Sequence, residues 1–243
     1  APARRTLFID ADCVITRPLD DVFARMAGRP VAVPGRFIPD GHFFGDVAHI
    51  REVVGVPGMI EFVGGIYYVE PGPACSAVYD TARELERRYD ELGLYRLRGL
   101  PNEEPLLSIA MVSHGLSPLP DDGTVKGDAM HYPTRIEVDV FRGRARMLND
   151  PNDTAHAERG PCAEAHPAIV HFNCDYAERD PYIREAERLR RVRGDGWPLP
   201  LASAFAWCTR TVPDAVERAI KDALRPIYRR LFGVRPVSAS QRI

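Results

Sequence analysis

Two carboxylates stand two residues apart in Phe8-Ile9-Asp10-Ala11-Asp12-Cys13, directly after an apolar run. Aimed into one crevice they repel each other, and a bound divalent cation relieves that repulsion. Mg²⁺ and Mn²⁺ take oxygen ligands and share them with substrate phosphates, so this pair points to metal-assisted phosphate chemistry. The plainer role is a cap on the turn that ends a strand, where Asp is common. Three further places carry candidate chemistry. Gly64-Gly65 interrupts an apolar run, which marks close approach of a ligand or another backbone. Asn102 is a good N-cap, followed by the first-turn acids Glu103 and Glu104. His171 ends the last short apolar run and can ligate a metal through one neutral ring nitrogen, or simply pack in the strand.

Two rival constellations use some of the same residues. An apolar strand ending in D-x-D near the N-terminus also suits a phosphatase of the haloacid dehalogenase type. Asp10 would then be the nucleophile and Asp12 the general acid. That chemistry needs a later lysine and then an acidic pair; Lys126 is the candidate, and Asp121-Asp122 precede it. Cys162, His166, His171 and Cys174 could instead hold zinc, although structural zinc prefers two short knuckles to so irregular a run.

The elements needed to position these residues follow from the pattern. Thr6 to Ile9 reads as a central parallel strand buried on both faces. A helix over Leu19–Met26 and a strand over Pro30–Val33 come next, then a long loop over residues 34–61. Phe62 to Val69 reads as a strand containing the two glycines, Pro73 to Leu92 as a helix, and Asn102 caps a helix running to Ser113 and stopping at Gly115. Arg135 to Leu148 reads as a hairpin turning at Arg142-Gly143, and Ala168 to Phe172 as a buried strand. Residues 181–193 and 213–232 read as helical. Strands alternating with helices predict an α/β fold with a mostly parallel sheet flanked by helices. Asp12 and His171 would converge at the carboxyl edge of that sheet.

Leu7-Phe8-Ile9-Asp10-Ala11-Asp12, followed by Arg17-Pro18-Leu19, resembles the D-x-D segment of GT-A-fold glycosyltransferases, most closely the family 8 type that includes glycogenin and bacterial lipopolysaccharide sugar transferases. Phe62-Val63-Gly64-Gly65-Ile66 is similar to the family's strand lining the sugar and acceptor pocket. Asn102-Glu103-Glu104-Pro105-Leu106-Leu107 is similar to the acidic start of its helix beside the donor sugar. Ile169-Val170-His171-Phe172 is similar to the late strand whose histidine completes the metal site. The family's strands before the D-x-D have no counterpart here, and Asn173-Cys174-Asp175-Tyr176 stands where it carries a Gly-x-x-Lys-Pro-Trp run. The resemblance implies a GT-A-like catalytic core over residues 1–180, lacking its N-terminal nucleotide-binding strands and turning over poorly alone, and a C-terminal helical extension over residues 181–243. It implies Mn²⁺ or Mg²⁺ bound by Asp10, Asp12 and His171. The nucleotide-sugar donor would meet Asp10, Ala11, Asp12, Gly64, Gly65 and Asn102, with Glu103 or Glu104 serving catalysis. The acceptor would offer a hydroxyl of a glycan, a lipid-linked sugar or a protein.

Composition sets the outer limits. With 45% hydrophobic and 27% charged residues among 243, a folded globular chain is expected. A net charge of -2, without a basic stripe interleaved with aromatics, argues against nucleic acid as a partner. Five sparse cysteines read as reduced thiols, hence a cytoplasmic setting. The segment over residues 215–232 is amphipathic, with Val216, Ile220, Leu224, Ile227, Leu231 and Phe232 among Arg218, Lys221, Arg225, Arg229 and Arg230. Docking on the core is its ordinary role. Lying on an anionic membrane surface is the alternative, and would suit a lipid-linked acceptor. A non-catalytic binding module also fits the sequence.

Overall fold

The computed structural model describes residues 4–132, 134–149 and 161–233. Residues 150–160 of the expected core and 234–243 of the expected extension lie outside the described residues. In chain order the strands are β1 (Thr6–Ile9), β2 (Cys13–Ile15), β3 (Val31–Ala32), β4 (Pro34–Ile38), β5 (Met59–Glu61), β6 (Ile66–Val69), β7 (Leu119–Pro120), β8 (Lys126–Asp128), β9 (Arg135–Asp139), β10 (Arg144–Leu148), β11 (Glu164–Ala165) and β12 (Ile169–His171). The helices are α1 (Asp20–Met26), α2 (Val47–Val54), α3 (Pro73–Arg87), α4 (Glu103–Ser113), α5 (Tyr182–Leu189), α6 (Leu199–Ala206) and α7 (Val212–Phe232).

The chain divides into two units. Unit 1 holds the residues up to Ala11 and Pro18–Lys126, and unit 2 holds Asp12–Arg17 and the described residues from Gly127 onward. The division passes through the D-x-D, and residues 180 and 181 both fall within unit 2.

The expected mostly parallel sheet is not what forms. The strands make four three-stranded sheets, ordered β1-β6-β3, β5-β4-β7, β11-β10-β9 and β2-β12-β8. Among the pairings whose register is described, β4–β7 is parallel and the others are antiparallel. The difference shows at β1, where β6, from much further along the chain, runs antiparallel and pairs Thr6 with Val69 and Ile9 with Ile66. β1 is therefore an edge strand, and Phe8 is 56% exposed rather than buried. Four apolar residues cannot by themselves distinguish an edge from a centre.

Unit 1 packs β3, β5, β6 and helices α2, α3 and α4 around Val33, Ile50, Met59, Ile60, Tyr89 and Ile109. α4 is buried continuously from Pro105 to Val112. Its one polar member there, Ser108, is partnered, accepting the Ile60 N–H at 2.7 Å. The expected long loop over 34–61 holds β4, α2 and β5. α2 is started by the Asp46 carboxylate, which accepts the Ala48 N–H at 2.9 Å, and ended by Gly55 at φ 80°. The expected strand over Phe62–Val69 shortens to β6, because Gly65 sits at φ 100° and bends the chain before it.

Unit 2 has its own core around Val14, Tyr132, Met147, Val170 and Phe172. The expected hairpin forms as β9 and β10, with Arg144 opposite Asp139 and Gly143 at φ 65°. The helix at 181–193 forms as α5 and a π turn, anchored by the fully buried Glu185 accepting from Arg188 at 2.7 and 2.9 Å. α7 differs from the ordinary expectation: none of its residues is buried, and Val216, Ile220, Leu224, Ile227 and Leu231 are 52–70% exposed. No helix among the described residues is long and apolar enough to cross a membrane.

Candidate functional site

The antiparallel pairing of β2 and β12 builds the group in unit 2. Its register sets Cys13 directly opposite His171, and the Phe172 N–H donates to the Asp12 carbonyl at 3.0 Å. Asp12 stands just before β2 begins and His171 at the end of β12, so antiparallel strands bring the two side chains to one place. The expected route, two parallel strands sharing a carboxyl edge, is replaced by this one.

His171 is 7% exposed in its side chain and is held from both sides. Its Nδ1 lies 2.8 Å from Oδ1 of Asp128, whose carboxylate is buried on β8. A carboxylate accepts hydrogen bonds, so Nδ1 carries the hydrogen and the lone pair of a neutral ring is at Nε2. Nε2 faces Oδ1 of Asp12 at 3.4 Å. Two acceptors at that distance need a cation or a proton to reconcile them. A ring nitrogen fixed by a carboxylate behind it is the usual support of a metal-bound histidine. Asp12, Cys13 and His171 place one ligand atom each within 4.8 Å of one another. A divalent cation therefore fits the residues present.

Unit 1 contains a second cluster of interest. The Gly64 N–H donates to Oε1 of Glu104 at 2.6 Å, and the buried Lys126 donates to the Val63 carbonyl and, at 2.8 Å, to that of Gly64. A Cβ on Gly64 would lie 2.7 Å from the Tyr67 hydroxyl and 2.8 Å from Glu104 Oε1, so a larger residue there would have to displace the end of one or both side chains. Burial raises the Glu104 carboxyl to about 7, against the opposing pull of the Gly64 N–H. The Tyr67 hydroxyl donates to Glu103 at 2.8 Å and is pushed upward, mainly by burial and then by the charge of Glu103. Tyr67 and Glu103 border a cleft of about 660 Å³, lined also by Arg83, Glu86 and apolar groups such as Phe8, Val69, Tyr79 and Leu106.

Asn102 caps α4, accepting the Glu104 N–H at 3.2 Å, and its own N–H donates to the Tyr89 hydroxyl at 3.1 Å. Asp10 is exposed in unit 1, its N–H donating to the Gly65 carbonyl at 2.9 Å. Ala11 lies in the exposed turn after it. Of the three expected metal ligands, Asp12 and His171 belong to the three-residue group. The irregular Cys/His run contributes only His171 to it: His166 bonds to Glu164, and Cys162 lies 3.2 Å from the Tyr132 hydroxyl. None of the five cysteines is in a disulfide.

Comparison with protein-family models, with curated proteins and with solved structures finds no match to this chain.

Sequence reasoning missed Cys13, Asp128, Tyr67 and the structural use of Lys126. Cys13 is adjacent to Asp12 in the chain, but its value lies in facing His171, which only the β2–β12 register reveals. Asp128 and Lys126 were legible as a Lys-Gly-Asp run without an assignable partner.

Proposed function

We propose that this chain is a metal-dependent glycosyltransferase, moving a sugar from a nucleotide-diphosphate donor to the hydroxyl of a glycan or lipid-linked acceptor. The observation that carries the proposal is the buried His171, backed by Asp128 and presenting Nε2 to the second carboxylate of the D-x-D. With the fold differing from the expected GT-A sheet, support comes from this geometry and from the short motifs, not from architecture.

Asp12 and His171 would hold Mn²⁺ or Mg²⁺, which when bound neutralises charge on the leaving diphosphate. Asp128 keeps the His171 ring in one tautomer and one orientation, so that Nε2 stays available. Unit 1 carries a separate candidate, the raised Glu104 carboxyl. A carboxyl near 7 can accept the proton of an acceptor hydroxyl at neutral pH, and the opposed hydrogen bonds on the Gly64 peptide hold it in place. Glu103 is occupied by Tyr67 and has the lesser claim. Activity that depends on unprotonated Glu104 rises with pH through about 7.

The acceptor side also has a physical basis. α7 exposes an apolar stripe and carries five cations against Asp214, Glu217 and Asp222, with Arg229 and Arg230 following the last acid. That charge suits an anionic bilayer surface, where the stripe would bury in the headgroup region. The proposed setting is the cytoplasmic face of a membrane.

The proposal is tested by incubating the protein with nucleotide sugars, Mn²⁺ and candidate acceptors, and measuring nucleoside diphosphate release. Release that requires Asp12 supports it. Phosphate release from phosphomonoesters, with none from nucleotide sugars, would favour the phosphatase chemistry instead. Tight nucleotide binding without turnover would favour a binding module.

A further inference from the structure

Cys13 is the third member of the group formed by Asp12 and His171, and nothing in the proposed reaction uses it. It is not drawn in by chance proximity along the chain alone. The register of β2 against β12 pairs it with His171, and directly paired residues of an antiparallel ladder have Cβ atoms about 4.5–5.5 Å apart on one face. All three candidate ligand atoms lie within 4.8 Å of one another, and Asp12 Oδ1 and His171 Nε2 are 3.4 Å apart. Zinc bonds of about 2.3 Å to sulfur and 2.0–2.2 Å to nitrogen and oxygen put tetrahedral ligand atoms roughly 3.3–3.7 Å apart. Side-chain rotation moving a ligand atom by up to about 1.5 Å closes the difference.

We infer that Cys13 is a metal ligand, and that Asp12, Cys13 and His171 form a three-coordinate protein site selective for a borderline-soft cation of the Zn²⁺ and Co²⁺ type over Mn²⁺ and Mg²⁺. The inference rests on the reading of Asp12 and His171 as a cation site and changes which cation that site prefers. The donor set decides the preference. Mg²⁺ and Mn²⁺ favour oxygen, and this group offers one oxygen, one nitrogen and one sulfur. Thiolate and imidazole together suit zinc. Three protein ligands leave a fourth position for a substrate oxygen or water, the pattern of a catalytic rather than a structural site. Asp12, 34% exposed in its side chain, marks the side on which that position opens. The Asp128–His171 hydrogen bond adds the support that metal-bound histidines characteristically have. On coordination the Cys13 S–H bond breaks, its proton passes to bulk water, and a sulfur–metal bond forms; no electron is transferred.

The test uses Co²⁺ as a spectroscopic stand-in for Zn²⁺, titrated into the full chain and into Cys13→Ser. The wild type should develop a near-ultraviolet thiolate-to-cobalt charge-transfer band together with the visible bands of low-coordinate Co²⁺, and Cys13→Ser should keep the visible bands and lose the charge transfer. Chelator competition should show the ratio of Zn²⁺ to Mn²⁺ affinity falling at least tenfold in Cys13→Ser. A Cys174→Ser control, at an exposed cysteine outside the group, should leave both readouts unchanged. If Cys13→Ser folds poorly, the wild-type spectrum and wild-type competition still decide. Co²⁺ binding without charge transfer, or an unchanged Zn²⁺ to Mn²⁺ ratio, overturns the role of Cys13 while leaving the Asp12–His171 site standing. Failure to bind any of the four cations overturns both.

Discussion

Replacing Glu104 by Gln should flatten the pH dependence of folding stability between about 4.5 and 7. Burial raises this carboxyl from its ordinary 4.5 to about 7, so in that interval the folded chain holds a proton that the unfolded chain has released. Stability contributed by the group is fully present below 4.5 and is lost as pH rises through about 7. At about 1.36 kcal/mol per tenfold change in proton affinity, the full displacement corresponds to about 3 kcal/mol. The side chain is only half-buried, and screening brings the observable part nearer about 1–2 kcal/mol. Glutamine keeps an oxygen for the Gly64 N–H and cannot ionise, so the fold is retained. Urea unfolding of both proteins at pH 4.5, 6 and 8 reads the effect as a difference of differences, which cancels the other titrating groups. The variant should gain about 1–2 kcal/mol on the wild type between the lowest and highest pH. Parallel stability profiles would show that Glu104 is an ordinary surface acid and would remove it as a proton acceptor near neutrality.

Three further outcomes follow from the geometry. Gly64→Ala should destabilise the fold by about 1–3 kcal/mol in chemical unfolding, because its Cβ meets the Tyr67 hydroxyl and Glu104 at under 3 Å; a neutral result would mean the bend is loose. Asp128→Asn should weaken cation binding by about 10–100-fold in a calorimetric titration, since it removes the charged support of His171 and no candidate ligand; an unchanged affinity would make Asp128 a packing residue only. Vesicles rich in phosphatidylglycerol should carry the wild-type chain upward in flotation, and neutral vesicles should not. Ile220→Glu with Ile227→Glu, both at exposed positions of α7, should abolish the effect, and equal flotation of variant and wild type would end the membrane proposal.

Local signals in this chain were more legible than pairing. Asn102 with two acids behind it announced α4, because capping is a contact between near neighbours. Arg142-Gly143 likewise marked the β9–β10 turn. α2 carried comparable signals in Asp46 and Gly55, but they were hidden within a stretch dense in Gly, Pro and His that reads as loop. Strand direction was not legible. Thr6 to Ile9 looks the same at an edge as at a centre, and its antiparallel partner lies about sixty residues on, a long-range choice made by the whole unit. The candidate site divided in the same way. Asp12 and His171 were identifiable by residue type and by their place at the ends of apolar runs. Cys13 and Asp128 acquire meaning only through β-pairing, which no periodicity in a single segment encodes.

In the proposed function, Asp12 and His171 bind a cation that in turn holds a nucleoside diphosphate. Its most direct test is thermal unfolding of the wild type, Asp12→Asn and His171→Ala with a panel of nucleoside diphosphates, in Mn²⁺, in Zn²⁺ and in excess chelator. A nucleotide at a hundred times its dissociation constant adds about 2.7 kcal/mol of stability, enough to read as a clear rise in midpoint. At least one nucleoside diphosphate should stabilise the wild type only when a cation is present, and neither variant should respond although both unfold cooperatively. Stabilisation that survives the chelator, or that Asp12→Asn and His171→Ala retain in full, would contradict it.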